Sequence, residues 1–288
     1  MGKQKIGKFE IPNGDQFERI AASFRLVGMD GCATSFESIA AQIQTEHGTI
    51  YDYIQRLLEL EITHKEENRV NRWIQQAKLM PLTTLNNYNF ALQPSINSAQ
   101  LRELASCRFI QQGKNVMFLG PPGVGKTHLA VALGYEAIQK GYETRCMRLN
   151  EVIDAIDNSS EDSFKRLHRS LVGAKLLILD DVDYYTTSEE SGKFLFNVIK
   201  QRYEDHTSTI ITSNKTPKAW KNLFGESRTG AALDRLFDHD RAITIKFIDG
   251  KSYRVPQPLD ELTQITAPTL EPERKILHRV SAAFHRNG

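Results

Sequence analysis

Apolar residues recur every three or four positions through the first third of the chain. Phe17, Ile20, Ala21 and Phe24 fall at i, i+3, i+4 and i+7, and Phe36, Ile39, Ala40 and Ile43 repeat that spacing. Each group therefore lies on one face of an amphipathic helix. Ser35 stands where a cap of the second helix belongs. A third run, Ile50, Tyr53, Ile54, Leu57 and Leu58, passes through a charged stretch into Trp73, Ile74, Ala77 and Leu79, and Pro81 ends it. Before these helices, Lys3, Lys5, Lys8 and Pro12 read as a loose basic arm. The Asn-, Thr- and aromatic-rich text from Leu82 to Leu92 reads as a linker.

The period then changes. After a helix over about Ser98 to Gln111, candidate strands at Val116–Leu119, Thr144–Leu149, Leu176–Leu179, Thr209–Thr212 and Ile243–Phe247 alternate with helical stretches. Alternation of this kind implies a parallel sheet covered by helices, with ligands at the carboxyl ends of the strands. The pattern divides the chain into a small all-helical domain over 1–88, an α/β domain over 89–256 and a tail over 257–288. Pro256, Pro258, Pro268 and Pro272 punctuate the tail, which reads as a frayed terminus.

Composition removes several function classes. Lys and Arg (37) nearly balance Asp and Glu (35), so any basic surface must be local. Cys32, Cys107 and Cys146 are far apart and form no CxxC pair, which suggests reduced core thiols, neither a disulfide framework nor a zinc site. No apolar run approaches a membrane span or a signal-peptide core, so a cytoplasmic protein without a membrane partner is expected.

The chemistry is concentrated around one loop. Gly120-Pro121-Pro122-Gly123-Val124-Gly125-Lys126-Thr127 follows an apolar strand and precedes a helical pattern, with His128 next in line. Glycines let backbone amides wrap a phosphate, and the positive end of the following helix faces the anion. Lys126 is expected on the β- and γ-phosphates of ATP, and Thr127 on Mg²⁺. About 50 residues on, Leu176-Leu177-Ile178-Leu179 ends in Asp180 and Asp181. Asp180 is expected to hold Mg²⁺ and Asp181 to orient the attacking water. Asn214, after the next strand, suits a residue beside the γ-phosphate that positions this water.

The segment from Ser35 to Glu61 also has the form of a helix-turn-helix, with Thr49 to Leu60 as the would-be recognition helix. Arg56 is the only basic residue there, against Asp52 and Glu59, so a helical bundle for protein contacts is the better reading.

GPPGVGKTHLAVALG, LLILDDVDYY, TIITSNKTPKAW, the segment Ala231-Ala232-Leu233-Asp234-Arg235-Leu236 and Lys251-Ser252-Tyr253-Arg254 resemble the successive motifs of AAA+ ATPases of the IstB and DnaC group. Upstream, Leu57 to Glu61, Glu67-Asn68-Arg69 and Gln76-Ala77-Lys78 are similar to the helical domain of IstB-type transposition helpers, and the likeness runs from about Phe17 to Val255. The resemblance implies a P-loop AAA+ core preceded by the helical domain, with Asn214 as sensor 1, Arg235 as arginine finger and Arg254 as second sensor or interface arginine. It further implies ATP-dependent homo-oligomers on double-stranded DNA and a cognate transposase as partner. Lys165, Arg166 and Arg169 are the expected phosphate contacts, with Arg145, Arg148 and Lys175 extending the patch. The chain departs from the family at Asp181, where Glu is frequent; the shorter side chain bears on the hydrolysis rate, not on nucleotide binding. A DnaC-type helicase loader and a weakly hydrolysing ATP-switched scaffold stay open as alternatives.

Overall fold

The computed structural model sets five short strands side by side, two of them built on four consecutive apolar residues, Val116–Leu119 and Leu176–Leu179. It describes residues 4–6, 9–11, 14–79, 83–158, 160–183, 187–220, 223–248 and 251–253. The strands are β3 (Asn115–Leu119), β4 (Thr144–Arg148), β5 (Leu176–Asp180), β6 (Ser208–Ser213) and β7 (Ala242–Lys246), in the order β4-β5-β6-β3-β7. All neighbours run parallel. Every residue of β3, β5 and β6 is buried, as a parallel sheet covered on both faces requires.

Alternation along the strands feeds two cores. Val116, Phe118, Ile178 and Ile210 face one, shared with helix α4 (Ser98–Ala105), helix α5 (Arg108–Gln111) and helix α6 (Lys126–Gln139). Met117, Leu119, Leu177, Leu179 and Ile211 face the other, covered by helix α7 (Leu149–Asp157), helix α8 (Glu161–Gly173), helix α9 (Glu189–Glu204) and helix α10 (Glu226–Leu236). One strand, β6, separates the P-loop strand β3 from β5. This is the parallel, helix-covered core that the AAA+ resemblance implies.

Helix α1 (Gln16–Leu26), helix α2 (Asp30–Thr45) and helix α3 (Ile50–Ala77) precede it. Asp15 and Glu18 close a capping box on α1, and Thr49 and Asp52 close one on α3. Cys32, Phe36, Ile39, Ile43 and Leu57 make a small core of their own. Ser35 is not a cap: α2 begins five residues earlier, and Ser35 lies inside it. Its first turn is capped from a distance. Glu61 of α3, 4% exposed, accepts the Cys32 N–H at 2.9 Å, and Lys65 stands 3.6 Å from its other oxygen. Glu61→Ala should therefore lower stability by about 1–2 kcal/mol, read from urea denaturation. An unchanged midpoint would show that the cap contributes nothing.

The third run forms as read, one 28-residue helix that ends at Ala77; it does not stop at Leu60 as a recognition helix would, and Arg56 is paired with Glu46 at 3.1 Å. Three further expectations change. The helix over Ser98 to Gln111 breaks at Cys107, whose φ of 62° reverses the chain between α4 and α5. In the stretch read as a linker, 3-10 turns form at Leu85–Asn87 and Phe90–Leu92, and Tyr88 is buried. At the start of the chain, β1 (Gln4–Ile6) and β2 (Phe9–Ile11) pair antiparallel within the segment read as a loose arm.

Residues up to Ser252 form one compact unit. Arg254 and the tail over 257–288 lie outside the described residues. Among the described residues, no helix is long and apolar enough to cross a membrane.

Candidate functional site

Strand β3 ends at Leu119, and the chain turns through Gly120 to Gly125 into α6. A Cβ on Gly120 would lie 2.6 Å from that of Phe247, so only glycine lets β7 approach this closely. Gly125, at φ 94°, is the N-cap of α6 and provides no capping side chain. The positive end of α6 thus opens onto the loop with no side-chain cap in front of it.

Lys126 is 5% exposed, and its Nζ donates to the carbonyls of Gly120 at 2.8 Å and Pro121 at 2.7 Å and to Asn214 Oδ1 at 2.7 Å. The ammonium is held over the loop at the carboxyl end of the sheet. Beside it, Thr127 Oγ1 donates to Asp180 Oδ1 at 2.8 Å, and the same oxygen accepts from Thr212 Oγ1 at 2.6 Å. A hydroxyl and a carboxylate oxygen in contact form a hard-donor pair of the kind that suits Mg²⁺, which prefers a few protein oxygens completed by water and phosphate. The residues present fit that ion. Among the described residues, no cluster of three His, Cys, Asp or Glu side chains forms an all-protein metal site.

Asp181 follows in the left-handed region, at φ 54°, with its N–H donated to Thr212 Oγ1 at 2.9 Å. Its carboxyl is pushed above the ordinary aspartate range by burial first and then by Asp180 and Asp183, with Arg148 and Lys126 opposing. Asn214 is gripped by Asp183, which accepts its backbone N–H at 2.7 Å and its Nδ2 at 2.6 Å. Ser213 Oγ donates to Asp183 Oδ1 at 3.1 Å.

Two hydrogen-bonded pairs thus stand side by side, Lys126 with Asn214 and Thr127 with Asp180, and Asp181 follows Asp180 beside them. Within the loop, the Val124 carbonyl accepts the Tyr88 hydroxyl at 3.1 Å. His128 turns to the preceding segment, its Nε2 3.1 Å from the Thr84 carbonyl and its ring edge-on to Tyr88 at 5.4 Å. Pro121, Pro122 and Gly123 complete the turn. Arg235 is not brought to this group: its Nη1 donates to the Ala231 carbonyl at 2.7 Å and its guanidinium stands 5.7 Å from the Phe196 ring centre on α9.

Lys165, Arg166 and Arg169 are exposed on α8, whose Phe164 and His168 turn onto Phe194 of α9. Lys165 pairs with Glu161 at 2.6 Å, and Arg166 donates to Ser163 Oγ at 3.1 Å. The expected extension of this patch does not form as one surface. Arg145 is tied to the carbonyl of Gln76 at the end of α3, at 2.5 Å. Arg148 lies opposite Asp180 at the carboxyl end of the strands, whereas Lys175 precedes β5 at the other end.

Thr212, Asp183 and Tyr88 were not singled out from the sequence. The β5–β6 register, Leu179 beside Ile211, is what carries Asp180 to Thr212. Asp183 was visible as the third carboxylate of LDDVD, but nothing in the string pairs it with Asn214.

The pattern of the IstB-like ATP binding protein family matches residues 22–260. The chain belongs to this family. As an IstB-like chain it is 33% identical over 240 residues to the ATP-binding protein of insertion sequence IS5376 from Geobacillus stearothermophilus, covering 83% of this chain and 94% of that one. It is 32% identical over 249 residues to the IS21 ATP-binding protein of Pseudomonas aeruginosa, covering 85% and 92%. Among solved structures, the DnaC helicase loader is similar over 59% of this IstB-like chain and 99% of its own, at 21% identity and a TM-score of 0.45.

Proposed function

We propose that this IstB-like protein is a cytoplasmic ATPase that multimerises on duplex DNA and assists a transposase of its insertion sequence. The observation that carries the reading is the two adjacent hydrogen-bonded pairs, Lys126 with Asn214 and Thr127 with Asp180, at the mouth of the P-loop. In this reading Lys126 moves from its carbonyl partners onto the β- and γ-phosphates of ATP, and the first turn of α6 receives phosphate oxygens. Thr127 and Asp180 hold Mg²⁺, which neutralises phosphate charge when bound. Asp181 and Asn214 orient the attacking water. Arg235, a contact of α9 within its own subunit, serves a neighbour's γ-phosphate, so ATP joins subunits and hydrolysis loosens them. Arg254 acts at the same junction.

Lys165, Arg166 and Arg169 contact DNA phosphates without reading bases. Each patch is weak, and stacked subunits sum many of them along one duplex. The test is particle size with ATP and Mg²⁺, with and without a random-sequence duplex, across a salt series. A large complex that needs both ATP and duplex is expected, weakening with a log–log slope of about −0.9 per neutralised phosphate. A monomer indifferent to duplex would contradict the proposal and favour a helicase loader. ATP-dependent assembly without Lys126-dependent turnover would favour the scaffold, to which the short, partly buried Asp181 lends support.

A further inference from the structure

Asn214 carries an amide whose oxygen and nitrogen can exchange places by a half-turn of the side chain. Its usefulness beside a phosphate depends on which atom faces which neighbour. Two groups decide this. Lys126 is a pure donor, and its Nζ sits 2.7 Å from Asn214 Oδ1. Asp183 is a pure acceptor when ionised, and its Oδ2 receives Asn214 Nδ2 at 2.6 Å. A half-turn would press N–H against ammonium and oxygen against carboxylate, two repulsions in place of two charge-assisted bonds.

Asp183 does more than face the amide. Its Oδ1 accepts the Asn214 backbone N–H at 2.7 Å and Ser213 Oγ at 3.1 Å, so one carboxylate fixes main chain and side chain of the same residue. The Asp183 backbone N–H is itself held by the Asp181 carbonyl at 2.9 Å. With one Nδ2 hydrogen on Asp183, the other remains for a phosphate oxygen or the attacking water.

We infer that Asp183 is the positioning residue of this site, setting the orientation of Asn214 on which turnover depends. The inference rests on the nucleotide-site reading above. Asp183 touches neither substrate nor reacting atoms; it acts through Asn214. Replacing it with Asn gives the amide a partner that donates as readily as it accepts, so both orientations become populated. Replacing it with Ala removes the grip altogether.

The experiment compares the wild-type chain with Asp183→Asn, Asp183→Ala, Asn214→Ala and the double variant Asp183→Asn/Asn214→Ala, under multiple- and single-turnover conditions with Mg-ATP. Asp183→Asn should lower kcat by about 10- to 100-fold with KM within about threefold, the pattern of a transition-state effect. In the Asn214→Ala background the same change should cost almost nothing, because the residue through which it acts is gone. Melting temperatures report whether the variants are folded. Unchanged kcat in folded Asp183→Asn protein would overturn the inference, and so would losses that multiply in the double variant. Lys126→Ala separates the two levels. If it abolishes turnover while Asp183→Asn leaves it intact, Asp183 alone is misread; if it changes neither turnover nor binding of a fluorescent ATP analogue, the nucleotide site is misread and the inference falls with it.

Discussion

Lys126→Ala should weaken ATP binding and lower turnover by about 100-fold or more while leaving the melting temperature nearly unchanged. The size follows from charge. A hydrogen bond to a charged partner contributes about 1.5–3 kcal/mol, and Lys126 is expected to make two with phosphate oxygens. Of its partners, the carbonyls of Gly120 and Pro121 and the amide oxygen of Asn214 are only part-buried, so water can replace the lost ammonium there. Folding therefore loses less than binding does. Titration with a fluorescent ATP analogue and a melting curve on the same sample decide it. Wild-type affinity would remove the phosphate-binding role of the loop, and a collapsed melting curve would make Lys126 a structural residue first.

Arg202→Met should be the most damaging single change to stability, at about 3–5 kcal/mol. Arg202 is 1% exposed and donates to five oxygens, none of them a carboxylate: Thr209 Oγ1 at 3.1 Å, Leu171 at 2.7 Å, Val172 at 3.2 Å, Ala174 at 2.8 Å and Ser208 at 2.5 Å. Burial pulls its pKa down to about 9, so it stays charged at neutral pH. Three of these partners are carbonyls at the end of α8 and just beyond it, groups that have no intrahelical partner. Methionine keeps most of the volume and orphans all five acceptors. Arg202→Lys should lose less, since an ammonium still satisfies some of them. Urea denaturation of the two variants gives the comparison, and a loss below about 1 kcal/mol for Met would mean that water reaches these carbonyls.

The parts of this protein legible in its sequence are those set by local pattern. β3 and β5 show as apolar runs, β6 and β7 as short stretches rich in Ile and Thr, and all five strands of the sheet lie within a residue of the expected ends. The P-loop and the Asp180-Asp181 strand end were found because backbone and side-chain chemistry sit in consecutive residues. What was missed depends on partners distant in the chain. The start of α2 is fixed by Glu61, 29 residues from Cys32, and no local pattern could have placed it ahead of Ser35. Tyr88 was read as part of a linker because its partner is the carbonyl of Val124. The site has the same limit: Asp180, Thr212, Asp183 and Asn214 belong together only once β5 and β6 are in register.

The unbroken α3 has a mechanical consequence. Its last turns, with Val70, Trp73, Ile74 and Ala77, are packed into the same core as Leu129, Ala130 and Leu133 of α6, the helix that begins at Lys126. From Ala77 to Ile50 the helix runs about 40 Å. It is a stiff lever with its fulcrum against the helix proposed to cradle phosphate. A tilt of about 5° at that base sweeps the far end through about 3.5 Å, the scale of a side-chain contact made or lost. A rearrangement of a fraction of an ångström around the P-loop would in that case be magnified at the opposite end of the helix, where Ile50, Tyr51 and Ile54 face solvent.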